Sequence, residues 1–358
     1  QGITQSLYNS MIGQRFAELV RRPDAPFRNA SVGFMGFVRN YDIFAVSTTA
    51  RPGAETEAFE GALTELERVR RYGFTQGELD RAKAQYMSSI ENSYQRRDKR
   101  SSESFIESMK EGFLNGEAIS DISDSYQIIK QMLPGITLEE VSALTDRFAT
   151  YDNSTVIVQG PTVRENPLTE AGAFAAIQKI RTSEPTPYVD SAAGSELMSG
   201  EVKGGSIVSE RTIPEIGATE WTLSNGAKVV FHYSEHDKNS VTLSSYSKGG
   251  VSLYGLDLLP SASQAGNFTG SFGLGEHDPI ALGKLLAGKR VGVQASIDSS
   301  SEAVSGSSTP EDLETMFQMV YMTFEQPRFD QEIFQVLMRR NYESLVNAHN
   351  DPNRMMSD

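Results

Sequence analysis

Apolar residues recur every three or four positions along much of the first half of the chain, a spacing that indicates amphipathic helices. The pattern predicts helices at 3–22, 55–72, 121–132, 137–148 and 169–180. Thr75 and Glu78 form a capping-box sequence, which predicts the start of another long helix. We expect that helix to continue toward Phe113, with a break in the polar stretch 95–102 as one of two possibilities.

Strand-type patterns also occur in this half. Residues 31–38 and 41–49 are rich in apolar positions on either side of Arg39-Asn40, which predicts a hairpin. Residues 154–159 contain the β-branched triplet Val156, Ile157 and Val158, and we expect a strand there as well.

The second half begins with strands. Asn225-Gly226 lies between two apolar stretches, which is a strong local signal for a β-hairpin. Further strands are predicted at 229–231, 240–247, 291–297 and 303–306. Helices are predicted at 258–268 and 280–286. A third is predicted to start after a cap at Ser308 or Thr309, and a last one to start at 327–330. Both halves therefore show paired strands followed by helices, which predicts an α+β fold with helices packed on one face of an antiparallel sheet.

The residues between the halves differ in composition. Residues 182–216 are rich in Pro, Gly, Ser, Thr and Glu and show little periodicity, so we predict a linker there. The resulting division is a first domain at 1–181, a linker at 182–216 and a second domain at 217–358, which suits a chain of 358 residues. The chain opens on Gln1-Gly2 without a signal peptide and ends at Asp358, and we interpret it as a piece of a longer protein.

The composition excludes several classes of site. There are no cysteines, which removes disulfides, thiolate zinc ligands and a cysteine nucleophile. The net charge is -14, so we do not expect nucleic-acid binding. No apolar run is long enough to span a membrane. Any histidine chemistry depends on the chain's four histidines, which are His232, His236, His277 and His349.

Several runs in the second half resemble the pitrilysin/insulinase-type (M16) zinc metallopeptidases. They lie at 223–231, 247–253, 286–297, 306–317 and 324–330, and together they cover about the stretch 217–354. The first half resembles the second domain of the same peptidases. Its cues are the hairpin, the run at 48–53, and the run at 73–83 that opens a long helix.

This resemblance implies a function as well as a fold. Such peptidases have four homologous α+β domains that enclose a peptide-holding chamber, with zinc bound in the first domain by a helical His-x-x-Glu-His motif. By this resemblance the chain starts inside domain two, without its first strand, and ends inside domain three. The zinc-bearing domain would then precede Gln1, the partners would be that domain and unfolded peptides, and the location would be the periplasm.

His232, Glu235 and His236 have the spacing of that zinc motif. On a helix, two histidines four residues apart share one face and can bind one ion, while the glutamate activates water. Here the string directly follows Lys228–Phe231, a predicted strand, where residues four apart lie roughly 13 Å from each other. We therefore predict that this string is not a working metal site.

The helix that carries the motif in the family should follow Gly249-Gly250. Residues 258–267 contain neither His nor Glu, so this position is expected to be degenerate. We interpret His277 as a surface-loop residue and His349 as a residue at a helix end. Glu343 occupies the helix that bears the third ligand in active domains, and here we expect a solvated helix face. The sequence thus assigns no catalytic, cofactor or metal residue in this chain, and zinc is expected only in the missing catalytic domain.

Three hypotheses follow. The first is a non-catalytic segment of a zinc-dependent endopeptidase that forms part of the chamber wall. The second is a non-catalytic assembly subunit that pairs with an active peptidase chain. The third is a zinc hydrolase that uses His232, Glu235 and His236. The basic run at Arg96–Arg100 has two interpretations, a solvated helical face or a contact with an acidic partner domain or substrate.

Overall fold

A computed structural model describes residues 2–38, 41–116, 119–148, 150–151, 153–160, 166–190, 196–200, 202–237 and 239–346. Its first half is mainly helical around one hairpin. The elements in chain order are α1 (Gly2–Arg21), β1 (Phe27–Val38), β2 (Tyr41–Ala50), α2 (Glu55–Tyr72), α3 (Gln76–Gln95), α4 (Ser102–Asn115), α5 (Ile122–Met132), α6 (Leu138–Ser142), α7 (Leu144–Phe148) and α8 (Glu170–Arg181). A 3₁₀ turn at Arg97–Lys99 separates α3 from α4, so the break in the long helix is real.

The second half contains the remaining strands. Its elements in chain order are β3 (Ile207–Ile213), β4 (Ala218–Leu223), β5 (Lys228–His232), β6 (Val241–Ser244), β7 (Ser247–Lys248), α9 (Leu259–Thr269), α10 (Pro279–Leu285), β8 (Val291–Ile297), β9 (Ser301–Ser308), α11 (Leu313–Glu325) and α12 (Gln331–Val346). β3 lies inside the stretch 182–216, for which composition predicted a linker. Composition did not indicate a strand there, because it does not show that β3 pairs with β4.

Two compact units share these elements. Unit 1 comprises residues 1–194, 271–289 and 328–358, and unit 2 comprises residues 195–270 and 290–327. α10 and α12 therefore belong to unit 1, although they lie late in the chain. The domain boundaries at 1–181, 182–216 and 217–358 stay a prediction.

The core of unit 1 forms where α1 packs on the β1–β2 hairpin. α1 buries Leu7, Tyr8, Met11, Ile12 and Phe16 on one stripe. The Tyr8 ring meets the rings of Phe74 and Phe148 edge to face, with centroids 5.5 and 5.3 Å apart. The predicted capping box is present, since Thr75 Oγ1 accepts from the Glu78 N–H while the Glu78 carboxylate accepts from the Thr75 N–H.

Unit 2 contains two antiparallel sheets. One sheet has the order β3-β4-β5, and in the other β9 pairs with β6, β7 and β8. α9 and α11 pack against β8, and α11 also packs against β9. Gly266 allows the close approach of α9, because a Cβ there would lie 3.1 Å from the Ala295 carbonyl oxygen. The predicted α+β class, with helices packed on antiparallel sheets, is confirmed.

One predicted strand is wrong. Residues 154–160 have no strand assignment, and Val156, Ile157 and Val158 are 42%, 77% and 41% exposed. Their β-branched side chains favour extended backbone, but a strand also needs a hydrogen-bonded neighbour. The sheet of unit 1 consists of β1 and β2 alone among the described residues, so the triplet has no such neighbour.

Candidate functional site

The string of zinc-motif spacing lies at the end of a strand. His232 is the last residue of β5, and Glu235 and His236 follow in a bend. All three side chains are exposed, and the His236 N–H donates to Ser234 Oγ at 3.3 Å. Zinc–nitrogen bonds are about 2.0–2.1 Å long, so two histidines must converge on one point to bind an ion. The backbone from His232 to His236 is not helical, so the pair lacks the shared helical face on which the motif binds its ion.

α9 follows Gly249-Gly250, where the family resemblance predicts the position of the metal-binding helix. Its Ser263 and Thr269 hydroxyls donate back to carbonyls of the same helix, at 2.8 and 2.6 Å. Its Ala262 is buried and its Gly266 faces the β8 backbone. The helix thus has packing residues and self-bonded hydroxyls where imidazole and carboxylate ligands would be needed.

The turn that precedes α9 is tightly built. Gly249 and Val251 donate their N–H groups to the carbonyls of Ser300 and Asp298, at 3.2 and 2.9 Å. The Gly250 N–H donates to Glu302 Oε1 at 3.4 Å. Gly249-Gly250 therefore forms a tight backbone contact with the turn between β8 and β9.

Glu343 and His277, the other described residues considered from sequence, lie on different elements. Glu343 on α12 pairs with Arg28 at 2.8 Å, and both side chains are about a quarter exposed. His277 lies in a tight turn, in which its backbone exchanges hydrogen bonds with Leu274. His349 lies outside the described residues. Within the described ranges, no group of three or more His, Asp or Glu residues could hold a metal ion.

Sequence reasoning missed a buried ionic cluster in unit 1. We call it the Arg15 cluster, and it consists of Arg15, Glu18, Glu65, Glu78, Arg81, Tyr188, Asp190 and Lys284. Arg15 donates to both carboxylate oxygens of Glu78, at 2.6 and 2.9 Å, and to the Gly73 carbonyl at 3.1 Å. Its guanidinium also lies 4.2 Å from the centroid of the Tyr188 ring.

Lys284 forms the other half of the Arg15 cluster. Its side chain is 3% exposed, and its ammonium lies 3.0 Å from Glu18 Oε1 and 3.3 Å from Asp190 Oδ1. It also donates to the Tyr188 hydroxyl at 2.7 Å, and that hydroxyl donates to the Glu18 carboxylate. These contacts fix residues 188–190 and α10 against α1.

The environment changes the acidity of two cluster members. Burial raises the pKa of Tyr188, and the adjacent Glu18 carboxylate raises it further, so the phenol stays protonated as a donor. Burial alone would raise the pKa of Asp190, but the hydrogen bond and charge of Arg81 and the charge of Lys284 lower it below the ordinary value. The charges of the cluster thus pair with one another, which makes it a structural element of unit 1.

One signal in the sequence could have located this cluster. Arg15 lies four residues after Met11 and directly before Phe16, which places it on the apolar stripe of α1. A charged residue on such a stripe requires a buried partner of opposite sign. The sequence gives no indication of which partner that is, because Glu78 lies 63 residues away.

Comparisons with known proteins bear on the family resemblance. No family model matches the chain. The chain is 25% identical over 355 residues to "Zinc protease PQQL-like" of Arabidopsis thaliana, and this match covers 98% of the chain. It is also 23% identical over 252 residues to "Probable zinc protease PqqL" of Haemophilus influenzae, covering 69% of the chain.

The chain resembles zinc proteases of the PqqL type. The predicted resemblance to zinc metallopeptidases is thereby confirmed. The chain spans about a third of the length of these curated relatives, 31% of the Arabidopsis protein and 27% of the Haemophilus protein.

One solved structure confirms the fold. The ferredoxin protease FusC, in the structure of a mutant in complex with Arabidopsis ferredoxin, matches with a TM-score of 0.57 at 15% identity. That match covers 99% of the chain and 39% of FusC. The periplasmic protease PqqL from Escherichia coli matches over the same shares with a TM-score of 0.46 at 17% identity.

Proposed function

We propose that this chain is a non-catalytic part of a zinc-dependent endopeptidase, which forms part of a peptide-enclosing chamber and packs on a zinc-bearing catalytic domain. One observation carries the proposal. The only string of zinc-motif spacing in the sequence starts at the last residue of β5 and continues in a bend, so it does not lie on the helix that the motif requires. α9 supports it, since the helix expected to carry such a motif has no histidine or glutamate.

The comparisons support the peptidase part of the proposal. Both curated relatives are named as zinc proteases, and each is much longer than this chain. Zinc would accordingly be held outside this chain, and unfolded peptides would be the substrate class of the whole protein. A periplasmic location is part of the proposal and rests on the description of the Escherichia coli neighbour. No helix among the described residues combines the length and apolar character of a transmembrane span.

A cleavage assay tests the proposed function. We expect the purified chain, supplied with zinc and a library of fluorogenic unstructured peptides, to give no cleavage above buffer, because its one string of zinc-motif spacing is not on a helix. The Arabidopsis relative, assayed in parallel, is the positive control. Cleavage by the chain that is abolished both by 1,10-phenanthroline and by His232→Ala would contradict the proposal and establish a hydrolase at His232.

A further inference from the structure

α4 has an inverted distribution of apolar side chains. Its large apolar residues all point to solvent, with exposures of 45% for Phe105, 62% for Ile106, 57% for Met109, 87% for Phe113 and 45% for Leu114. Its half-buried positions are instead the small residues Ser104 and Gly112. A surface helix of a stable monomer normally buries its apolar face, so an exposed face of this kind marks an interaction site.

The exposed side chains form one continuous stripe. Phe105, Met109 and Phe113 follow one another at four-residue spacing, and Ile106 lies beside them, so they share one side of the helix. From Phe105 to Phe113 the stripe is about 12 Å long, at about 1.5 Å per residue. A convex ridge of this length suits a polypeptide, whereas a small molecule requires a concave pocket.

Basic side chains lie at the N-terminal end of the stripe, where Arg97 also lies 3.9 Å from the exposed Asp98. The Arg100 guanidinium stacks over the Phe105 ring at 4.5 Å from its centroid, which joins the cation directly to the apolar surface. Arg97 stacks in the same way over Tyr94, at 4.4 Å. Both belong to the basic run Arg96–Arg100, in a chain whose net charge is -14. Stacking holds these long side chains in place, so less conformational entropy is lost when they bind an anion.

The polar side of α4 argues against a lipid occupant. Glu103, Glu107 and Glu111 run along it at four-residue spacing, against the single Lys110, so the helix itself is acidic. Helices that lie on anionic membranes carry lysine and arginine on the polar face. The combination of a basic end and an apolar stripe instead fits a polypeptide segment that carries carboxylates beside apolar side chains.

We infer that the α4 stripe, comprising Phe105, Ile106, Met109 and Phe113, and the adjoining Arg97 and Arg100 form a docking surface for an acidic, apolar polypeptide segment. The stripe contacts the apolar side chains of the segment, and the two guanidinium groups pair with its carboxylates. This inference rests on the proposed function, because it names the class of polypeptide that the chamber wall holds.

Fluorescence anisotropy with the purified full-length chain tests the inference. The probes are two fluorescein-labelled peptides that share one leucine- and alanine-rich sequence and carry either three glutamates or three lysines at one end. We expect the glutamate probe to bind about tenfold more tightly than the lysine probe, since a tenfold ratio corresponds to about 1.4 kcal/mol. Added salt should reduce this preference.

Two variants locate the binding site. Ile106→Ser/Phe113→Ser should weaken binding of the glutamate probe about tenfold, and Arg97→Glu/Arg100→Glu should reverse the preference between the probes. Phe317→Ser/Phe324→Ser is the matched control, because it removes side chains that are 52% and 63% exposed on α11. This control should bind like the original chain. Circular dichroism verifies that all three variants fold.

Several results would overturn the inference. Binding that is equal for both probes, or that the α11 control weakens as much as the α4 variant does, places the site elsewhere and leaves the proposed function intact. If neither probe binds the unmodified chain, the peptide-holding part of the proposed function fails as well. A dimer in sedimentation that Ile106→Ser/Phe113→Ser dissociates assigns the stripe to a second copy of the chain. Binding to phosphatidylglycerol vesicles with the same variant sensitivity assigns it to lipid.

Discussion

Arg15→Met is expected to destabilise unit 1 by about 3–5 kcal/mol, because breaking a buried ion pair from one side leaves an uncompensated charge. The Arg15 and Glu65 side chains are each 2% exposed and Glu78 is 4% exposed, so water cannot replace the lost guanidinium. Methionine fills much of the volume of the arginine stem, which keeps the cavity small. Urea denaturation followed by far-UV circular dichroism measures the change in unfolding free energy.

Two further variants separate charge from packing at this site. Arg15→Met/Glu78→Gln should recover part of the loss, because it also removes the stranded carboxylate. Arg211→Met is the control at a solvent-exposed pair, where Arg211 is 68% exposed and lies 3.0 Å from Glu220. It should cost less than about 1 kcal/mol. A comparably small loss for Arg15→Met would show that the Arg15 cluster contributes little to stability.

Gly250→Ala is expected to destabilise unit 2 by about 2–6 kcal/mol. Gly250 has φ 81° and ψ -176°, a backbone region that is essentially restricted to glycine and costs other residues about 1–3 kcal/mol. A Cβ there would lie 2.4 Å from the Asp298 carbonyl oxygen and 2.6 Å from the Ser301 nitrogen, and relieving such overlap costs about 1–3 kcal/mol more. Hydrogen exchange of the β8 and β9 amides measures the effect.

Gly292→Ala provides the matched control in the same unit. Gly292 lies in β8, and a Cβ there would meet no atom within 4 Å. Alanine should therefore be tolerated, with a small gain from the reduced flexibility of the unfolded chain. If Gly250→Ala exchanges as slowly as Gly292→Ala does, the tight contact between the glycine turn and residues 298–301 is contradicted.

Local signals accounted for most of the fold. The Asn225-Gly226 turn between β4 and β5 and the capping box at Thr75 depend on residues only a few positions apart, and both are visible in sequence. A strand directly before His232 was predicted for the same reason, and the structure extends that strand by one residue to include His232. The predicted strand at 154–159 failed because local β propensity does not specify a neighbouring strand.

Long-range pairs could not be predicted. Lys284 bonds to Tyr188 across 96 residues of sequence, and Tyr188 lies in a stretch whose composition predicted only a linker. The outward orientation of the α4 stripe was also hidden, because an apolar periodicity does not indicate whether the apolar side faces the core or solvent. The basic run at Arg96–Arg100 was visible, but its stacking on Tyr94 and Phe105 required the structure.

Zinc content tests the central claim most directly. The chain is purified, dialysed against a buffer that fixes free zinc in the nanomolar range, and analysed by inductively coupled plasma mass spectrometry beside its His232→Ala/His236→Ala variant. We expect well below one zinc per chain in both proteins, because the string from His232 to His236 does not lie on a helix. One zinc per chain in the original protein, lost in the double variant, would contradict the account.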